Sequence, residues 1–322
     1  MSDFRFAIMG AANIANKFCD AVSRLDGVCV CAVASKSAER ARAFAEKNGI
    51  ASAYDDYEEM LKAEKPDAVY IAVTQNDHFR LSMLALDYRV PVLCEKAMFL
   101  TSKDAEIFFS RAESEGIFSM EAMWSRFLPA INTAKEWIAG GRIGDVVLAD
   151  FGIGFAAENN PDSRYFSPAL GGGAMYDITV YGYDILTWVL SRKVLSFSTN
   201  VVKGETGVDV TETTVLSMEG SVPAIIKSSL VTPMEERLVI FGTNGRIAIP
   251  IAHFAASAEL YNRAGKLCEH YIDAVTENGF VYEIAETVRC VKEKLTESQV
   301  VPHSLTMETS RLYDSILEKL SV

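Results

Sequence analysis

Phe4-Arg5-Phe6-Ala7-Ile8-Met9-Gly10-Ala11-Ala12-Asn13-Ile14-Ala15 is an apolar run of strand length that stops at a glycine and passes directly into a helical pattern reaching about Leu25. Strand, glycine turn and helix in that order aim the unpaired amides and positive dipole end of the helix at whatever lies beyond the strand. A pyrophosphate suits that position. The glycine pattern is degenerate, because Ala12 and Ala15 stand where G-x-G-x-x-G has its second and third glycines. The segments around it must therefore carry the reading.

They continue the same alternation. Residues 28–34 read as a second strand, 37–48 as a helix closed by Gly49, and 68–73 as a third strand. A helix over 78–88, a fourth strand over 90–94 and a fifth over 117–120 follow, with Thr101 placed to cap a helix and Asp104 three residues on. Strands alternating with helices of this length predict a parallel, doubly wound sheet, an α/β Rossmann domain over residues 1–122.

In such a domain Gly10, Ala12, Asn13 and Ile14 form the phosphate turn. The end of the second strand selects the cofactor. An acid there would bind a free ribose 2′-hydroxyl, whereas this chain has Ser35-Lys36-Ser37 with Arg40 one turn later. Lysine and hydroxyls accept a 2′-phosphate that a carboxylate would repel, so NADP(H) is expected over NAD(H). Thr74, Asn76 and His78 follow the third strand and Glu95-Lys96 the fourth, at the carboxyl edge where ligands of open α/β sheets collect. Trp124 and Arg126, just past the fifth strand, are placed to wall the nicotinamide or substrate, or else to be a core aromatic and a paired guanidinium.

After a helix over about 129–139 the pattern changes. Strands are expected at 146–155, 196–203, 213–218, 224–230, 237–241, 246–249, 258–261 and 267–271, joined by short polar turns. This predicts an α+β domain, residues 123–322, built on a large, mostly antiparallel open sheet that binds substrate and makes the oligomer contact. One face would be covered by a long helix, and the other, carrying Thr214, Leu216 and Met218, would meet a second copy. Two late helices, about 280–296 and 304–320, flank Pro302.

The long helix follows Gly171-Gly172-Gly173-Ala174-Met175-Tyr176-Asp177-Ile178-Thr179-Val180-Tyr181. If 174–190 is helical, Asp177 and Tyr181 share a face with Asp184 and Trp188. The three glycines would let backbone or ligand approach without any Cβ in the way. A carboxylate and a phenol over such a floor suit the binding and deprotonation of a hydroxylated substrate; an ordinary amphipathic helix behind a glycine turn is the other reading.

The 322 residues exceed most single cores, and 49% hydrophobic with 23% charged residues is ordinary globular composition. A net charge of −12 argues against a nucleic-acid partner, which needs a basic patch. No signal segment or membrane-spanning apolar run is read, and scattered cysteines without metal-ligand spacing fit reduced thiols in a cytoplasmic protein with no metal. His253, His270 and His303 read as strand or loop residues without chemistry.

Taken in order, the opening turn, Glu95-Lys96, Met120-Glu121-Ala122-Met123-Trp124-Ser125-Arg126-Phe127, Gly141-Arg142-Ile143-Gly144-Asp145, the glycine-led helix and Phe241-Gly242-Thr243-Asn244-Gly245-Arg246 resemble the Gfo/Idh/MocA family of NAD(P)-dependent oxidoreductases. Pro161-Asp162-Ser163-Arg164-Tyr165-Phe166 before the glycines, and tyrosine at 181, are similar to its branch of NADP-dependent aldose 1-dehydrogenases and dimeric dihydrodiol dehydrogenases. The resemblance implies Lys96 and Tyr181 as the catalytic pair, Asp177 as a carboxylate that positions substrate, and a dimer or tetramer through the second sheet. Phe155, Arg164 and Phe166 precede the glycines and are candidates for substrate contact. Two departures stand out. Ala97 replaces the proline of the family's Glu-Lys-Pro, so the loop either runs trans or keeps a cis bond without proline. The loop 74–78 is one residue shorter than usual. A trans-dihydrodiol dehydrogenase and a dinucleotide sensor without turnover are the competing functions.

Overall fold

A computed structural model describes residues 3–321. Contacts divide the chain into two compact units: the chain through Ala122 together with Asn278–Ser310, and Met123–Glu277 together with the residues from Arg311 on. In this division residues 278–310 group with the N-terminal stretch.

In the first unit, β1 (Phe4–Met9), α1 (Asn13–Val22), β2 (Val28–Ala34) and α2 (Ala38–Asn48) follow the expected rhythm. Next come β3 (Ser52–Tyr54), α3 (Tyr57–Glu64), β4 (Ala68–Ile71), α4 (His78–Asp87), β5 (Val92–Glu95), α5 (Ser102–Glu115) and β6 (Ser119–Ala122). β3 and α3 were not read from sequence: one is three residues long and the other opens on acids, its start fixed by Asp56 accepting from the Glu59 N–H at 2.8 Å. The sheet order is β3-β2-β1-β4-β5-β6, parallel throughout. β1 is central, with Ile8 opposite both Val33 and Tyr70, and burial on both faces explains its apolar stretch Phe6-Ala7-Ile8-Met9. Thr101 caps α5 as expected, accepting from the Asp104 N–H at 3.2 Å.

The second unit holds α6 (Pro129–Ala139), β7 (Val146–Gly154), a π-helical turn Met175–Thr179 running into α7 (Val180–Leu190), and seven more strands. These are β8 (Val194–Lys203), β9 (Asp209–Met218), β10 (Val222–Ser229), β11 (Arg237–Gly242), β12 (Gly245–Pro250), β13 (Ser257–Asn262) and β14 (Leu267–Ile272). Their order is β14-β13-β12-β11-β7-β10-β9-β8, antiparallel except where β7 meets β10. α7 lies on β7 and β10 so closely that a Cβ at Gly182 would stand 2.6 Å from Ile226 and 2.9 Å from Phe151. One expectation is corrected here: Thr214, Leu216 and Met218 form the buried row on the helix side, while Val215 and Phe241 point outward. A one-residue offset in a strand exchanges its faces.

α8 (Phe280–Lys292) and α9 (His303–Leu320) end the chain. α8 packs on α1, and Asn278 just ahead of it donates to the Lys17 carbonyl at 2.8 Å. No helix among the described residues is long and apolar enough to cross a membrane.

Candidate active site

On the first unit the turn after β1 needs glycine. Gly10 has φ +115, and a Cβ there would sit 2.7 Å from the Ala72 carbonyl oxygen. α1 then starts from Ala12, extended and without a side-chain cap, and Asn13 is exposed; the Ala15 N–H turns back to the Ala12 carbonyl at 3.1 Å, which leaves the Asn13 and Ile14 amides to face a ligand. β1 stands between β2 and β4, where the winding of the sheet reverses and open α/β sheets bind ligands. The turn Gly10, Ala12, Asn13 and Ile14 therefore fits a dinucleotide.

The remaining residues of this unit divide into exposed and committed groups. Ser35 is buried, Ser37 caps α2 by accepting from the Arg40 N–H at 3.3 Å, and the Arg40 side chain is exposed. Lys36 is exposed and ion-paired with Asp77, which Arg80 also reaches at 3.2 Å. Burial pushes the Asp77 carboxyl up, but the hydrogen bonds from Lys36 and Arg80 outweigh it and hold it below its ordinary value. Thr74 donates to the Asn76 side chain at 2.7 Å.

His78 is not an open donor. It is buried, with Nδ1 3.0 Å from the Ala97 carbonyl and Nε2 3.1 Å from the Val73 carbonyl. Burial lowers its pKa against those carbonyls, so the neutral ring donates to one of them at a time. Glu95 is buried and accepts from the Tyr70 hydroxyl; burial raises its pKa, opposed by that bond and by Lys96.

The Lys96–Ala97 bond is cis, so the loop keeps the cis form without proline. Its exit is fixed by Glu121, which accepts from the Met98 N–H and from the Thr306 hydroxyl, each at 2.8 Å. Glu283 was not read from sequence. It is fully buried on α8, both its oxygens lack a hydrogen-bond partner among the described residues, and burial, then Glu95, raise its pKa well above a carboxylate's.

On the second unit the candidates converge more tightly. Tyr181 is buried, and the Trp124 indole donates to its hydroxyl at 3.3 Å. Trp124 meets Phe254 edge-on at 4.3 Å, and the His253 ring lies 5.1 Å from that of Tyr181. One turn before Tyr181, Asp177 accepts from Arg164 at 2.8 Å. Arg164 also reaches the Tyr165 hydroxyl at 2.8 Å, and the Tyr165 ring packs edge-on against Phe155. Phe166 is buried.

Arg126 is the paired guanidinium that the sequence left open. It is buried, 2.8 Å from an Asp184 carboxylate oxygen, and it donates to the Asp184 carbonyl at 3.0 Å and to Thr187 at 2.8 Å. Trp188 continues the stripe by donating to Asn132 at 3.0 Å.

The three glycines do not form an open floor. A Cβ at Gly173 would stand 2.2 Å from Asp209 Oδ1, and one at Gly172 2.8 Å from the Tyr165 carbonyl oxygen. Protein fills that space. Asp209 accepts from the Met175 N–H at 2.7 Å, and Glu212 accepts from the Thr179 hydroxyl, so two buried acids grip both ends of the π-helical turn that carries Asp177. Burial and then Glu212 raise the Asp209 pKa well above its ordinary value, and burial raises that of Glu212, so the pair keeps a proton. Sequence patterning could not pair residues on different elements.

The family is decided by comparison with known proteins. Residues 4–122 match the model of an oxidoreductase family with an NAD-binding Rossmann fold, and residues 131–248 match that family's C-terminal domain. The chain belongs to the Gfo/Idh/MocA family. As a Gfo/Idh/MocA oxidoreductase it is 30% identical to trans-1,2-dihydrobenzene-1,2-diol dehydrogenase of Xenopus laevis, over 99% of this chain and 98% of that protein. It is 31% identical to the Mus musculus protein of that name, over 98% and 95%. In structure it resembles an aldose-aldose oxidoreductase from Caulobacter crescentus complexed with glycerol, at TM-score 0.89, 18% identity and coverage of 99% and 98%. A 3-ketoreductase from Actinomadura kijaniata in complex with NADP and TDP-benzene aligns at TM-score 0.87 and 20% identity over 98% of each chain. At those identities the two structures speak for the shared fold.

Proposed function

We propose that this enzyme is an NADP(H)-dependent dehydrogenase that moves hydride between the nicotinamide and a hydroxyl-bearing carbon of a polyhydroxylated ring, C1 of an aldose above all. The observation that carries this reading is the placement of Tyr181: its hydroxyl accepts from Trp124 and is walled by rings, with the Asp177–Arg164 pair one turn away. The turn Gly10–Asn13 would hold the pyrophosphate of NADP⁺, whose nicotinamide would supply the hydride acceptor when bound. The protein's own residues must then manage the proton. A phenol of pKa about 10 is a weak base at neutral pH. A hydrogen bond to its oxygen and a nearby ammonium both favour the phenolate. Trp124 supplies the first, and Lys96 is assigned the second. Asp177, negative and held by Arg164, opposes phenolate formation and so acts as an acceptor for a substrate hydroxyl. In the reductive direction Tyr181 returns the proton to the carbonyl oxygen.

A trans-dihydrodiol is the second substrate reading. The rings of Trp124, Phe254 and His253 around Tyr181, and the activity named for the relatives, favour it. A sensor would have no use for an enclosed phenol beside a carboxylate. The preference for NADP(H) rests on Lys36, Ser35, Ser37 and Arg40 with no acid at the end of β2, and a dimer through the outward face bearing Val215 and Phe241 is part of the same proposal.

The test is NADP⁺ reduction against aldoses, polyols and cyclic diols, with Tyr181→Phe alongside. Substrate-dependent turnover that falls by two orders of magnitude or more in the variant, with NADPH binding retained, is expected for loss of an acid–base group. Full activity in Tyr181→Phe would remove the assignment. NADH bound as tightly as NADPH would remove the cofactor preference.

A further inference from the structure

Glu236 has no role above and His253 only that of a ring beside Tyr181, although both belong to the unit that carries Tyr181. The turn that presents His253 is built for it. Ile251 adopts a left-handed conformation, φ 47, and its N–H donates to the Glu236 carbonyl at 3.0 Å. The Glu236 carboxylate accepts from the His253 backbone N–H at 3.3 Å and also engages the ring at Nδ1. A carboxylate only accepts, so Nδ1 carries a proton, and Nε2 is the lone-pair nitrogen of the neutral ring. That nitrogen makes no hydrogen bond among the described residues, and the His253 side chain remains 21% exposed.

The ring is therefore oriented by Glu236 through Nδ1, with its side chain partly exposed. Its centroid stands 5.1 Å from Tyr181, 4.6 Å from Phe254 and 6.4 Å from Trp124, whose indole donates to the Tyr181 hydroxyl. Beside the Tyr181 hydroxyl, Nε2 is thus a second polar atom placed among these rings.

We propose that His253 is a substrate-binding residue whose Nε2 accepts a hydrogen bond from a hydroxyl neighbouring the reacting carbon. Its tautomer is set by Glu236, and it makes the site selective for vicinal diols over simple alcohols. The inference rests on Tyr181 being the acid–base residue and deepens that reading. An acceptor that substrate covers and hydrogen-bonds discriminates against the analogue lacking the hydroxyl, because the covered acceptor is then left unpaired. Glu236 does not touch substrate and is a positioning residue.

The test pairs each substrate turned over by the wild type with the analogue lacking the neighbouring hydroxyl, for example glucose with 2-deoxyglucose, or trans-1,2-cyclohexanediol with cyclohexanol. In His253→Phe, kcat/KM for the diol-bearing member is expected to fall about tenfold, mainly through KM, while that for the deoxy member stays within about twofold. His253→Gln, which keeps an acceptor, should recover most of the loss, and Glu236→Gln should raise KM for the diol a few-fold with kcat unchanged. Circular dichroism and melting of each variant identify any that fail to fold, and His253→Gln then decides. An equal fall on both members of each pair would overturn the assignment, since a ring that merely packs on Tyr181 cannot sense the missing hydroxyl. Failure of the underlying reading looks different: no wild-type turnover on any hydroxyl compound, or full activity in Tyr181→Phe.

Discussion

Single atoms decide two features of this chain. At Gly10 the backbone at φ +115 leaves no room for a methyl against the Ala72 carbonyl. Gly10→Ala is expected to cost about 1–3 kcal/mol and to disturb the phosphate turn. Thermal melting and NADPH titration check both effects, and an unchanged melting temperature would refute the close approach. At Tyr181 the atom to test is the Trp124 indole nitrogen, which donates to the hydroxyl and, in the role proposed for Tyr181, would favour the ionised phenol. Trp124→Phe keeps the ring wall and removes the donor, so the ionisation of Tyr181 should move to higher pH. The acidic, ascending limb of the oxidation profile would shift to higher pH, with kcat at neutral pH reduced several-fold. A profile that does not move would show that the indole does not act on the phenol. Of the candidates chosen from sequence, Arg126 and His78 proved committed to their neighbours, which residue type alone could not reveal.

Among the elements, the π-helical turn Met175–Thr179 departs most from a sequence reading of one continuous helix. Its cause lies on another strand: Asp209 and Glu212 of β9 hold Met175 and Thr179 from below. Both acids have raised pKa values, so the folded pair binds a proton that the unfolded chain releases once pH passes the ordinary carboxylate range. Stability from this pair is thus greatest at low pH and declines as pH rises toward the folded-state pKa. Asp209→Asn supplies the same acceptor to Met175 and a donor to Glu212 without a titrating proton. Its melting temperature should fall less between pH 6 and pH 9 than that of the wild type. A wild-type profile equally flat would contradict the shared proton. Helix starts governed by local chemistry, such as Thr101 with Asp104, were legible in advance, because cap and capped amide lie within one turn.

At the scale of the whole molecule, the first compact unit joins two stretches that are far apart in sequence. Residues 278–310 group with that unit, and within it Thr306 bonds Glu121 while the His303 ring stacks on Phe109 at 4.2 Å. A fragment of residues 1–122 is therefore expected to lack cooperative unfolding and to bind a hydrophobic dye. Melting as sharp as that of the full chain would show the late segment to be dispensable. The sequence by itself determined the alternation of strands and helices, the glycine turn after β1, the wide second sheet and the pairing in one segment of Asp177 with Tyr181. All of these follow from local periodicity and steric limits. The tertiary structure alone decided that the glycines admit Asp209, that Arg126 serves Asp184, that Leu216 faces inward, and that a Glu236-held His253 stands beside Tyr181. Those facts depend on which distant residues share a few ångströms of space, and neither periodicity nor propensity along one chain encodes that separation.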